Sequence, residues 1–251
     1  MTRSLTTIIG TLVLSATLTA AEEPKTVTLR WQGQSFFEIQ SSQGTRIVTD
    51  PHEIPAFGRK DVSADIVLIS HFHNDHTQVE VLKNQGKFRV VEGLKRNGKK
   101  IDWNPVDEKI RDVHIRTVGV YHDGMAGMER GKNAIFAIEV DGLRFVHLGD
   151  LGHVLSEQTI KQIGPVDVLM IPVGGVYTIN GAEAKQVVAQ LKPRQYIIPM
   201  HYGTKGFDDL LPPDEFLEDQ KNVKKFLGNK LTISTDFKPA EPIVALLEWK
   251  N

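Results

Sequence analysis

From Lys25 onward the chain reads as short runs of apolar residues broken by turn-forming ones. Val27, Leu29 and Trp31 alternate with polar neighbours, which places them on one face of a strand. A break at Gly33 precedes Phe36, Phe37 and Ile39. Ser41-Ser42-Gln43-Gly44 then supplies hairpin residues, and 45–49 return as a strand ending at Asp50-Pro51. The run 64–70 (ADIVLIS) is short, apolar and unbroken, as expected of a central strand buried on both faces. Two segments, 134–140 and 143–148, flank Asp141-Gly142, a strong hairpin signal. Further strands are predicted at 166–172, 195–199 and 242–249.

Helices are predicted at two capping-box pairs. Thr77 and Glu80 precede a modest apolar face of Val79, Val81 and Leu82; Asn180 and Glu183 precede Ala184, Val187, Val188 and Leu191. Strands interleaved with helices imply an α/β layered domain. No linker or internal repeat divides it, so 22–251 is expected to be a single domain. The N-terminal segment is different. Arg3 is followed by an uncharged stretch centred on 8–16 (IIGTLVLSA), then by the small residues Thr19-Ala20-Ala21. That is the pattern of a secretory signal peptide, 1–21, with an apolar core too short for a comfortable bilayer span. A periplasmic or secreted protein without stable membrane insertion is expected.

Composition removes several classes. Thirty basic residues oppose 31 acidic ones, a formal net charge of −1, so the broad positive field of a nucleic-acid binder is missing. The basic run Lys95-Arg96-Asn97-Gly98-Lys99-Lys100 is read as a solvated turn. With no cysteine, disulfide frameworks, Cys-based zinc fingers, iron–sulfur centres and thiol nucleophiles are excluded.

The chemistry gathers where strands end. His71-Phe72-His73-Asn74-Asp75-His76 follows the buried run directly, and three imidazoles with one carboxylate in six residues suit a divalent metal. His122, Asp150 and His201 each follow another predicted strand. The set of five His and two Asp is large enough for two ions sharing a carboxylate. His52, His114 and His147 are read as structural, and His153 as a pocket-lining or surface residue.

The chain resembles the metallo-β-lactamase-fold superfamily over about 27–249. The segments Trp31-Gln32-Gly33-Gln34-Ser35-Phe36, Ile47-Val48-Thr49-Asp50-Pro51, HFHNDH, Tyr121-His122, His147-Leu148-Gly149-Asp150 and Pro199-Met200-His201-Tyr202 look most like its ascorbate-6-phosphate lactonase-like branch. The resemblance implies an αβ/βα four-layer sandwich with a dinuclear site at one edge of two sheets. It implies His71, His73 and His122 at the first metal, Asp75, His76 and His201 at the second, and Asp150 bridging both. Asp50 would orient a ligand from behind, and Asp75 would carry the catalytic proton. Where many relatives have Gly-His, this chain has Gly33-Gln34.

The implied reaction is attack of a metal-bound hydroxide on an ester, lactone, amide or phosphodiester of a small-molecule substrate, with two divalent ions, zinc first and Mn2+ or Fe2+ as alternatives. A true β-lactamase is the second reading. The bridging Asp150 and the lack of Cys weigh against it. A non-catalytic metal-holding module is the third. The glycine-rich stretch 123–133, with Met125 and Met128, is either a substrate-facing lid or an ordinary mobile loop. Tyr177, Thr178 and Tyr202 are candidate pocket residues.

Overall fold

Hydrophobic alternation at residues 27–40 resolves into one face of a sheet in the computed structural model, which describes residues 23–58 and 61–250. The expected leader, 1–21, lies outside the described residues. Among those that are described, no helix is long and apolar enough to cross a membrane.

In chain order the strands are β1 (Thr26–Trp31), β2 (Phe37–Gln40), β3 (Arg46–Thr49), β4 (Ile66–Ile69), β5 (Arg89–Glu92), β6 (Leu94–Asn97), β7 (Lys100–Trp103) and β8 (Asp107–Ile110). Then come β9 (Val113–Tyr121), β10 (Lys132–Val140), β11 (Leu143–His147), β12 (Val168–Pro172), β13 (Tyr196–Met200), β14 (Val223–Lys225), β15 (Lys230–Ser234) and β16 (Ile243–Leu246). A six-stranded sheet has the order β15-β1-β2-β3-β4-β5, and an eight-stranded one the order β14-β16-β13-β12-β11-β10-β9-β8. The basic run becomes the exposed ribbon β6–β7. This is the two-sheet α/β arrangement expected.

Alternation decides which side chains lie between the sheets. Phe37, Ile47, Ile66 and Leu68 join the main core, which includes Phe136, Phe145 and Ile198 of the larger sheet. Phe36, Val48, Val67 and Ile69, one residue out of step, form a smaller outer cluster with Val62, Val81 and Leu82. Helix α1 (Glu157–Ile163) packs along β9, and α2 (Gly181–Leu191) buries Ala184, Val187 and Leu191 in the main core. A four-residue α3 (Asp214–Leu217) lies against α2.

Local signals held at the hairpins and at α2. Asp141 and Gly142 both take positive φ, 52° and 81°, between β10 and β11. Asn180 and Glu183 complete a reciprocal capping box, with Oδ1 accepting from Glu183 N at 2.9 Å and Oε2 accepting from Asn180 N at 3.0 Å. The helix expected after Thr77 does not form. Two single 3-10 turns, Asn74–His76 and Val79–Val81, replace it. Thr77 Oγ1 donates back to His73 O at 3.3 Å instead of capping, Val79 and Val81 are β-branched, and Lys83 N is already held by Val62 O at 2.8 Å. The outer layer of the smaller sheet is therefore built of turns.

Strand direction positions the site. β3 and β4 are parallel, so Asp50 and His71 leave the six-stranded sheet at the same edge. β9, two antiparallel steps from β11, runs the same way as β11, β12 and β13. Their carboxyl ends therefore project His122, Asp150 and His201 from one edge of the eight-stranded sheet.

Candidate metal centre

All seven predicted donors meet. His71, His73 and His122 form one group and Asp75, His76 and His201 another, with donor atoms in each within 4.8 Å of one another; Asp150 joins His71 and His76 in a third. Asp150 Oδ2 is the common point: it lies 3.1 Å from His201 Nε2, 3.2 Å from both His76 Nε2 and His122 Nε2, and 3.8 Å from His71 Nε2. His71 Nε2 and His73 Nδ1 are 3.0 Å apart. Asp75, partly exposed, brings Oδ2 to 3.5 Å from His76 Nε2.

His71, His76, His122, Asp150 and His201 are buried, with His73 exposed and Asp75 partly so, and the charges of the buried groups act strongly on one another. Burial alone would raise the Asp150 carboxyl, but the charges of His201 and His76 and hydrogen bonds from His122 and His201 hold it well below its usual range. Burial opposes a proton on His76, yet Asp150 and Asp50 push that imidazole well above its ordinary value. Burial pushes His71 well down, helped by the charge of His76, and pushes His73 down as well. Asp75 would be raised by burial, but the hydrogen bond and charge of His76 keep it ionised.

The residues fit divalent ions. A buried carboxylate attracts three imidazole nitrogens at once, and two more imidazole nitrogens face each other at hydrogen-bond distance. Such a cluster requires positive charge between its members. A proton on His76 supplies one such charge, and cations at the two donor groups would supply more. Nitrogen and oxygen donors without sulfur suit zinc, manganese or iron.

A supporting shell fixes this set. Asp50 accepts from Ser70 N and Ser70 Oγ, both at 2.7 Å, and forms an ion pair with His76 Nδ1 at 3.1 Å. Ser70 Oγ also lies 3.0 Å from His71 Nδ1. The place assigned to Asp50 behind the motif loop is the place it takes. Ser35 Oγ donates to Asp150 Oδ1 at 3.4 Å, and Asn133 Oδ1 accepts from Asp150 N at 3.2 Å. Ser35, Ser70 and Asn133 were not singled out from the sequence. Signals were present: Ser35 lies in a segment that carries the resemblance, Ser70 directly precedes the histidine motif, and Asn133 borders the apolar run 134–138. Gly149 lies between them at φ +53°, where a Cβ would stand 2.4 Å from Asn133 Oδ1 and 2.7 Å from Ser70 Cβ.

The other histidines hold structure. His147 Nε2 hydrogen-bonds Ser35 O at 3.0 Å, and His52 Nε2 does the same with Gly33 O. His114 pairs with Asp107 at 2.6 Å on the surface. His153 accepts from Tyr121 N at 3.2 Å and ties its loop to β9. Gln34 is buried, at φ +50°, with Oε1 unpartnered; its carbonyl accepts from Trp31 Nε1 at 2.9 Å. Tyr202 packs on Trp31, ring centres 5.3 Å apart, whereas Tyr177 is about half exposed at 47%.

The stretch after His122 is drawn together by one carboxylate. The Asp123 carboxylate accepts backbone N–H groups from Met125 and Gly127 at 2.8 Å, Glu129 at 3.1 Å and Arg130 at 2.7 Å. Though burial alone would raise it, those bonds hold the carboxyl below its usual range.

Comparison with known proteins agrees with this geometry. The family model described as a β-lactamase superfamily domain matches residues 28–201. A metal-dependent hydrolase of Thermococcus onnurineus is 32% identical over 231 residues, covering 86% of this chain and 98% of that protein. One from Pyrococcus furiosus is 28% identical over 235 residues, covering 86% and 99%. A Thermotoga maritima structure, proposed as a zinc-dependent hydrolase of the metallo-β-lactamase superfamily, is 35% identical with a TM-score of 0.69, covering 88% of this chain and 99% of that one. Matched across most of its length in sequence and in fold, the chain belongs to the metallo-β-lactamase superfamily.

Proposed function

We propose that this metal-dependent hydrolase is exported, works with two divalent ions, and cleaves an ester, lactone, amide or phosphodiester of a small molecule, as a member of the lactonase-like branch. The observation that carries the reading is Asp150 Oδ2 within 3.2 Å of imidazole nitrogens from three separate elements. In this reading His71, His73 and His122 hold one ion, Asp75, His76 and His201 the other, and Asp150 both. Two such ions, zinc foremost, supply a water acidic enough to be a nucleophile near neutral pH and an electrophile for the scissile bond.

The chain's own residues supply orientation and proton transfer. Asp50 takes the Nδ1 side of His76, leaving Nε2 aimed at the cluster, and Ser70 does the same for His71. Ser35 and Asn133 fix the carboxylate and backbone of Asp150. Asp75 is partly open and held ionised, so it accepts a proton only in transit from nucleophile to leaving group.

Metal analysis joined to a hydrolysis panel tests the mechanism. About two ions per chain and turnover of at least one substrate class that chelation abolishes are expected. Undiminished turnover after thorough metal removal would overturn it. Export is supported by the charged, apolar and small-residue pattern of 1–21. Native protein should begin at Ala21 or Glu22; mature protein retaining Met1 would contradict this.

A further inference from the structure

Nine large apolar side chains are exposed among the described residues, and six of them stand on the loops that follow His122, Asp150, β12 and His201 at the sheet edge that carries the donors. Met125 (52% exposed) and Met128 (76%) follow His122, Val154 follows Asp150, Val176 and Tyr177 follow β12, and Leu211 follows His201. Such clustering is not general surface scatter; exposed apolar patches mark places where something docks.

The loops are tied together and to the donors. Gly174 N donates to His201 O at 3.0 Å, Ile179 N to Leu151 O at 2.9 Å, and Leu211 N to Gly174 O at 3.0 Å. The Arg130 guanidinium sits over the Tyr177 ring, 5.4 Å from its centre, joining the loop after His122 to the loop after β12. The rim therefore spans from His122 to His201, on either side of Asp150. It is also held in shape, since Asp123 staples residues 125–130 by four backbone hydrogen bonds. A preformed apolar rim binds without paying to order its loops.

Charge narrows the occupant. With Asp123 buried and taken up by its four backbone bonds, the four loops carry Arg130 and Lys205 against Glu129, Asp208 and Asp209 beyond the donors, and Arg130 is already paired with Glu129 at 3.1 Å. A phosphorylated or otherwise anionic substrate would meet net negative charge there. Met125, Met128, Val176, Tyr177 and Leu211 offer instead a surface for alkyl carbon, the methionines adapting to a flexible chain.

We infer that the rim binds the hydrocarbon chain of an uncharged carboxylic ester or lactone, whose carbonyl is thereby delivered to the metal centre. This rests on the hydrolase reading above. Water adds to the carbonyl carbon, the acyl C–O bond breaks, and the leaving oxygen takes the proton that the water loses; one carboxylic acid and one alcohol result, or one hydroxy acid from a lactone.

The test compares neutral p-nitrophenyl esters of four to ten carbons, with and without chelator, and in parallel measures calorimetric binding of unreactive N-alkyl acetamides of four and eight carbons. In the wild type kcat/KM and acetamide affinity should each rise about two- to fourfold per added methylene until the rim is filled. Met128→Ser and Tyr177→Ser should flatten both slopes, and Val90→Ser, within the edge strand β5 of the other sheet and 40% exposed, should leave them unchanged. Chelator-sensitive turnover with no dependence on chain length, or faster turnover of bis-p-nitrophenyl phosphate than of every ester, would overturn the rim assignment. So would light scattering that shows a wild-type dimer which Met128→Ser dissociates. Acetamide binding that tightens with chain length, with no chelator-sensitive turnover of any substrate, would uphold the rim and overturn the hydrolase reading.

Discussion

The two sheets deliver their donors to one point by different means. The six-stranded sheet contributes His71, His73, Asp75 and His76 from a single loop, and braces that loop from behind. Asp50, one strand over, binds Ser70 twice and pairs with His76, while Ser70 also touches His71. The eight-stranded sheet contributes one donor per strand end, and neither His122 Nδ1 nor His201 Nδ1 has a hydrogen-bond partner although both are buried. Their placement comes from the backbone. His201 sits at φ +51°, and Gly152 lies so close to His122 that a Cβ there would stand 2.3 Å from its carbonyl carbon. One half of the site is oriented by a polar network, the other by strand direction and close backbone packing, and Asp150 joins them.

The comparison breaks first at that junction. Asp150→Ala removes the group shared by both halves and leaves several imidazoles facing one another, so metal content should fall below one ion per chain and kcat by well over about a thousandfold. Retention of two ions in this variant, measured by elemental analysis, would refute the bridge.

His201→Ala removes one donor of the eight-stranded sheet and leaves the other sheet's loop untouched. It should leave about one tightly held ion, an unchanged fold by circular dichroism, and kcat lower by on the order of a thousandfold, because the two-ion arrangement is lost while the braced motif loop persists. Loss of both ions would show that the two donor groups are not separable.

Asp50→Asn sharpens the contrast, since it weakens the brace of one half without touching a donor. About 10–100-fold weaker metal binding is expected, with stoichiometry restored at high metal concentration. Competition against a fluorescent chelator measures it, and unaltered affinity would mean that packing alone holds the motif loop.

A smaller effect concerns pH in metal-stripped protein. Burial holds His71, His73 and His147 below the ordinary 6.5, while Asp150 and Asp50 hold His76 above it against burial. As pH falls through 6.5 the unfolded chain takes up protons at three imidazoles where the folded chain refuses them, so stability falls. The stabilisation from His76 has the opposite sense: it builds as pH falls from its elevated native value and is complete below 6.5, so it adds no further gain there. The Tm of the stripped protein should therefore decline from about pH 6.5 to pH 5.5. A flat or rising Tm toward acid would show that these imidazoles are not shielded. Least affected of all should be His114→Ala, which removes a surface pair with Asp107 and changes stability by no more than about 0.5 kcal/mol, with metal content intact.

Much of the smaller sheet and its loop was legible because its signals are local. Alternation at Val27, Leu29 and Trp31, the glycine turn at 41–44 and the apolar run before His71 each lie within a few residues. The helix after Thr77 was misread for the same reason. Spacing of Thr77 and Glu80 satisfied a local rule, but the Thr77 hydroxyl turns back to His73 O, and Val62 O holds Lys83 N through a contact that no local window contains. The stapling by Asp123 was equally hidden, since its four N–H partners are ordinary loop residues until the chain bends around the carboxylate.

The sequence by itself determined the donor types, the contiguous motif, the hairpins at 41–44 and 141–142 and the α2 cap, because these depend on residue identity and short-range periodicity. Tertiary structure decided that His122, Asp150 and His201, dozens of residues apart, would meet, because convergence requires β9, β11 and β13 to run in the same direction within one sheet. It also decided that Ser35, Ser70 and Asn133 would hold the site together. A hydroxyl or amide becomes a bracing group only when burial deprives its partner of water, and burial is a property of the packed sheets.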